Sequence, residues 1–80
     1  MATKPDLTDW VCEALRHYGG RVKLVDVAKY IWQRYQTTLE ASGDFLFTWQ
    51  YDMRWAANEL RRRGVMRVTD VSPRGIWELV

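Results

Sequence analysis

Cysteine is all but missing from this chain. Cys12 stands alone, so no internal disulfide can form, and with His17 as the single histidine no set of zinc ligands can be assembled. Long apolar runs are missing too: no stretch approaches the roughly 20 apolar residues of a bilayer span, and the opening Met1-Ala2-Thr3-Lys4-Pro5-Asp6 lacks the apolar core of an export signal. These absences predict a cytoplasmic protein in reducing surroundings, with no membrane partner and no cofactor. No Ser-His-Asp set, paired-carboxylate arrangement or phosphate-binding glycine loop occurs, so hydrolysis and group transfer have nothing to act through. The expectation is a binding protein and not an enzyme.

What the chain does have is aromatic mass. Five Trp, four Tyr and two Phe occur in 80 residues, and each can bury roughly 150–250 Å². A chain this short buries only about 60% of its unfolded surface, so a few large side chains must carry the core. One domain over 1–80 is expected, without internal repeats or low-complexity tracts. Net charge is +2, too small for a strong global field, so any attraction to nucleic acid must come from clustering. Arg54, Arg61, Arg62, Arg63 and Arg67 supply that cluster between positions 54 and 67, where Glu59 is the lone acid.

Leu7, Trp10, Val11, Ala14, Leu15 and Tyr18 recur at the three- and four-residue spacing of an amphipathic helix. Asp6 or Thr8 can cap its start, and Gly19-Gly20 ends it. Leu24, Val27, Ala28, Ile31, Trp32 and Tyr35 repeat the spacing and predict a second helix over 25–36. Between the two, Arg21-Val22-Lys23-Leu24 alternates polar and apolar, as a short extended piece would. From Gln36 to Phe47 no helical stripe is visible and Ser42-Gly43-Asp44 interrupts the chain, so this segment reads as a loop. Phe45 and Phe47 are expected to tuck into the core and hold it down.

A third helix is predicted over about 49–63. Thr48 stands where an N-cap belongs, with Asp52 in the first turn, where the helix dipole favours negative charge. Trp49, Met53, Ala56, Ala57 and Leu60 make the buried face, Arg61, Arg62 and Arg63 fill the last turn, and Gly64 takes the position just past the end. Beyond it, Val65–Thr69 and Ile76–Val80 are β-branched and aromatic runs. Ser72-Pro73-Arg74-Gly75 joins them with the residue types of a type I turn, which predicts a hairpin with Trp77 and Leu79 facing inward.

Helix, short strand, helix, helix, hairpin is the order of an α+β winged helix-turn-helix, in which the third helix enters the major groove of DNA. At 100° per residue its outer face presents Gln50, Tyr51, Arg54, Trp55, Asn58, Arg61 and Arg62. Gln and Asn can pair with an adenine edge and Arg with a guanine edge. Arg61 and Arg62 are expected on phosphates, with Arg63 left to pair with Glu59 at i,i+4; cations in a last turn also serve the helix dipole. Arg74, at the tip of the wing turn, is expected against the backbone or in the minor groove. Arg67, Lys29 and Gln33 are further phosphate candidates. Tyr51 and Trp55 are aromatics on a face predicted to be wet: the hairpin or the 36–47 loop folding over Trp55 would account for one, and Tyr51 remains a contact candidate. Cys12 and His17 lie off the stripe and receive no role.

Tyr51-Asp52-Met53-Arg54-Trp55-Ala56-Ala57-Asn58-Glu59-Leu60, then Gly64-Val65-Met66, then Ser72-Pro73-Arg74-Gly75-Ile76-Trp77-Glu78-Leu79 resembles the N-terminal winged-helix domain of Mrr-type restriction endonucleases. The Arg-Trp-Ala core, the Leu-x-x-x-Gly helix exit and the Pro-Arg-Gly-x-Trp-x-Leu hairpin carry the likeness, and Leu15 through Gly20 resembles that family's first-helix exit. In that family the domain recognises DNA beside a separate nuclease domain, so the resemblance implies DNA binding without cleavage. This chain stops at Val80, directly after the hairpin, and the nuclease domain is absent. It is therefore expected to be freestanding or the partner of another chain.

Two functions are thus predicted. The first is a DNA-binding module that contacts double-stranded DNA through Gln50, Tyr51, Arg54, Asn58, Arg61, Arg62 and Arg74. The second is a protein-interaction winged helix that uses Tyr51, Trp55 and the hairpin, its partner another protein or a second copy in a homodimer.

Overall fold

The computed structural model describes residues 2–68 and 75–80. Its elements run α1 (Asp6–His17), β1 (Arg21–Lys23), α2 (Leu24–Glu40), α3 (Phe45–Arg62) and β2 (Ile76–Glu78). They form an α+β arrangement of three helices and a two-stranded antiparallel sheet, consistent with a winged-helix-like layout.

α1 forms along its predicted stripe, with Leu7, Val11, Ala14 and Leu15 fully buried. Its start differs from either expected cap. The first turn begins upstream, where the Thr3 carbonyl accepts the Asp6 N–H and the Asp6 carboxylate reaches back to accept the Thr3 N–H at 2.9 Å, the backward half of a capping box. The Thr8 hydroxyl faces away from capping work and donates to the Pro5 carbonyl at 2.8 Å. Pro5 explains the displacement: it lacks an N–H, and its fixed φ suits a first helical turn. At the other end the Gly20 N–H donates to the Leu15 carbonyl at 2.7 Å and the Gly19 N–H to that of Arg16 at 3.2 Å. This is a Schellman motif, and it needs the positive φ of 82° that Gly19 adopts.

The weakly alternating piece after Gly20 is β1, as expected. Its partner is β2, in the register Arg21 to Glu78, Val22 to Trp77 and Lys23 to Ile76, so that buried Val22 and Trp77 stand side by side on the inner face. The expected hairpin of 65–69 with 76–80 is reduced, among the described residues, to a Met66–Leu79 bridge flanked by the Arg67 N–H on the Glu78 carbonyl at 2.8 Å and the Val80 N–H on that of Val65 at 3.0 Å. The Leu79 N–H is meanwhile taken by the Gly20 carbonyl at 2.7 Å. The 76–80 segment thus runs between two neighbours, and its regular ladder is with β1. Trp77 is buried and Leu79 packs against the core, as expected. Of the predicted turn, Ser72, Pro73 and Arg74 lie outside the described residues.

α2 is longer than the predicted 25–36. Ile31, Tyr35 and Leu39 continue one stripe at four-residue steps, and Leu39 is fully buried; the polar, β-branched Thr37 and Thr38 concealed this last turn. The helix kinks at Tyr35, which leaves helical geometry at φ −119° and ψ 17°. The Tyr35 ring stacks on Trp10 of α1, with centroids 4.1 Å apart, and its hydroxyl donates to the Glu13 carboxylate at 2.9 Å.

The expected 36–47 loop therefore shrinks to the residues between Glu40 and Phe45, and α3 begins at Phe45 with no side-chain cap. Thr48 is not the N-cap. Its hydroxyl meets the Asp52 carboxylate within the helix at 3.3 Å, and Asp52 falls in the second turn. Phe45 and Trp49, four residues apart, both face inward, which satisfies half of the expectation for the two phenylalanines. Phe47, about 200° from Phe45 on a helix, points out and is 83% exposed.

Ser42 fixes the α2–α3 connection. Buried at this corner, its hydroxyl donates to the Thr38 carbonyl at 2.6 Å and accepts the Ala2 N–H at 2.9 Å. Ser42→Ala would leave that buried N–H without a partner, an omission that costs about 1–3 kcal/mol. The urea midpoint is expected to fall accordingly at unchanged slope. An unmoved midpoint would mean that the N-terminal residues do not seal this corner in solution.

Candidate nucleic-acid interface

α3 buries Trp49, Met53, Ala56, Ala57 and Leu60, the face its spacing predicts. Positions about half a turn away form an exposed stripe of Phe47, Gln50, Tyr51, Arg54 and Asn58. Tyr51 is 78% exposed, and among the described residues no carboxylate pairs with Arg54. The acids of α3, Asp52 and Glu59, are half-buried on a flank, away from this stripe.

The C-terminal arginines behave differently from expectation. Arg61 is half-buried, its Nε donating to the Arg67 carbonyl at 3.1 Å and its Nη1 to Asn58 Oδ1 at 3.2 Å. Burial pushes its pKa down. Arg61 is thus a latch between α3 and the segment after Gly64, whose tight exit brings Arg67 within reach: the Val65 N–H donates to the Leu60 carbonyl at 2.9 Å. Arg62, expected on a phosphate, is bound through its guanidinium to the Glu59 carboxylate. Arg63 joins the same carboxylate at 3.5 Å, which is the pairing the sequence predicts. The Arg62 hydrogen bond, foremost, holds the Glu59 carboxyl below its ordinary range, against desolvation. Helix arithmetic gives the direction in which a side chain leaves; it does not decide which of two arginines, at i+3 and i+4, reaches a shared acid.

Other cations near this end are also engaged. Arg67 and Arg21 flank Glu78, at 3.7 Å and 3.8 Å. Arg74 lies outside the described residues. Lys29 and Gln33 are exposed on α2. Trp55 is half-buried and packs against the core, with Lys4 Nζ 5.0 Å from its ring centroid. Cys12 is buried in the core, contrary to its placement off the stripe. His17 is exposed and lies 4.9 Å, centroid to centroid, from both Tyr18 and Tyr30.

Beside the α3 stripe an open groove of about 710 Å³ runs between α3, the start of α2 and the start of β2. Its apolar walls include Leu24, Val25, Ala28, Met53 and Ile76, while Lys23, Gln50 and Arg54 supply its polar atoms. Val25 is itself 54% exposed. Sequence reasoning missed both Val25 and Phe47 as surface features; the four-residue step from Phe45 to Trp49 was the available signal for Phe47. Among the described residues no group of His, Cys, Asp and Glu could hold a metal ion, and no helix is long and apolar enough to cross a membrane. Comparison with protein-family models, with curated proteins and with solved structures finds no match.

The two central arginines should separate by stability. Arg61→Ala removes a charged latch and is expected to lower the unfolding free energy by about 1 kcal/mol or somewhat more. Arg54→Ala is expected to stay within about 0.5 kcal/mol, as surface changes do. Equal losses in chemical denaturation would show that Arg54 is structural as well.

Proposed function

We propose that this chain is a DNA-binding winged helix that lays the outer stripe of α3 in the major groove of a duplex. The observation that carries the reading is the exposed, acid-free run of Gln50, Tyr51, Arg54 and Asn58 on a rigid helix. Gln50 and Asn58 lie about 12 Å apart along α3, with Arg54 midway, which spans roughly three base pairs at 3.4 Å each. The Gln50 amide can pair with an adenine edge and the Arg54 guanidinium with a guanine edge. Asn58 has its oxygen engaged by Arg61, so it offers chiefly its N–H donors.

Arg61 and Arg62 serve this reading less directly than the sequence implies, Arg61 by fixing the base of the wing and Arg62 as a cation shared with Glu59. Lys23 then becomes the foremost phosphate contact near the groove, with Arg74 proposed as a second. The resemblance to the N-terminal domain of Mrr-type restriction endonucleases supports recognition of DNA without cleavage, and no catalytic role is assigned to any residue. Exposure of Phe47 and Tyr51 favours a second reading, a protein-docking face on the same helix, since large apolar side chains gathered on a small domain usually mark an interface.

Fluorescence anisotropy of a labelled duplex across a salt series tests the first reading. With two phosphates neutralised, log affinity should fall with log salt at a slope of about −2. Glu59→Gln frees Arg62 and Arg63, so binding should tighten and the slope steepen by about 1. A flat salt response, or an indifferent Glu59→Gln, would overturn DNA binding by this face. On a preferred sequence Arg54→Ala should cost about 1–3 kcal/mol if Arg54 reads a base; an equal loss on every sequence would reassign it to a phosphate.

A further inference from the structure

The most exposed large apolar side chain among the described residues, Phe47, stands one helical turn before Tyr51 and Gln50, which line the open groove. A protruding ring and an apolar recess therefore share one face of the molecule. Such a face is self-complementary under a two-fold axis, because each copy can place its ring in the other's recess and both contacts close together.

Charge along α3 selects the orientation. Asp44 is exposed immediately ahead of the helix, and Arg54 is exposed two to three turns further on, at the groove. If two α3 helices cross antiparallel about an axis between Gln50 and Tyr51, Phe47 of one copy meets the groove of the second at the level of its Arg54. The same axis sets position 44 level with position 57 of the second copy, which brings Asp44 close to Asn58 and within about one helical turn of Arg54 along the axis. Antiparallel packing also sets opposite ends of the two helix dipoles together. Both halves of the contact, ring with acid and recess with base, are thus supplied by this one chain.

We propose that the chain self-associates through α3 as an antiparallel two-fold dimer, and that this contact covers Gln50, Tyr51 and Arg54, so that a second copy and duplex DNA compete for one surface. The competition rests on the DNA reading above; the dimer does not. Free protein at high concentration then stores itself in a form that cannot bind DNA, and DNA draws it back to monomer by mass action.

Sedimentation velocity of the full chain from micromolar to near-millimolar concentration is the test, with circular dichroism to confirm that each variant folds. Wild type should shift from monomer to dimer, and Phe47→Ser should stay monomeric. Asp44→Arg and Arg54→Asp should each weaken the dimer roughly tenfold or more, and the double variant Asp44→Arg/Arg54→Asp should recover most of that loss, as coupled neighbours do. A labelled duplex added to wild type should dissolve the dimer, and Phe47→Ser should bind that duplex with an affinity that no longer falls at high protein concentration. Wild type that is monomeric throughout, a dimer indifferent to Phe47→Ser, or charge variants that simply add would each overturn the proposed interface and leave DNA binding untouched. A dimer that behaves as described while the monomeric Phe47→Ser protein ignores DNA would overturn the DNA reading and the competition, and keep the dimer.

Discussion

The packing of α3 against α1 is the constraint on which the rest of this small structure depends. It is the broadest contact between helices, and fully buried alanines contribute to it on both elements, Ala14 on α1 and Ala56 and Ala57 on α3. Small side chains let helix axes approach closely, and larger ones around them, Leu7, Val11, Leu15, Trp49, Met53 and Leu60, fill the remaining space. α2 closes the third side through a parallel stack of Trp32 on Trp49, with centroids 6.2 Å apart. Once that face of α3 is buried its rotation about its own axis is set, and Gln50, Tyr51, Arg54 and Asn58 have nowhere to point but outward.

Positive charge is distributed by a second set of constraints. Two carboxylates act as hubs: Glu59 gathers Arg62 and Arg63, and Glu78 gathers Arg21 and Arg67. A cluster that looks strongly basic along the chain is thereby muted at the C-terminal end of α3. Lys23 and Arg54, beside the groove, are left as the less compensated cations near the helix that would read DNA. Affinity for a polyanion would then be modest and sensitive to the few charges that remain, while apolar contact through Tyr51, Val25 and Phe47 gains weight.

Periodic patterns were legible in the sequence where one face of an element is buried and the other is wet. α1, the buried face of α3, the glycine exits at Gly19 and Gly64 and the inward Trp77 all follow from spacing and from the backbone freedom of glycine. The ends of α2 and α3 were not legible, for opposite reasons. Thr37 and Thr38 made a helical turn look like loop although Leu39 is fully buried, and Thr48 looked like a cap although the apolar Phe45-Leu46-Phe47 run continues the helix upstream. That second error decided the surface, since the same Phe47 that would fill a core from a loop must leave it from a helix.

By itself the sequence determined the number of helices, the face of each that seeks the core and the sites where the chain turns, because these depend on residues a few positions apart. Only the tertiary structure decided which strand pairs with 76–80, that Arg62 joins Arg63 on Glu59, that Arg61 reaches the Arg67 carbonyl and that Lys4 stands over the Trp55 ring. Those outcomes depend on distances between groups remote in the chain, or on competition between neighbours for a single partner. Spacing along one helix does not encode either.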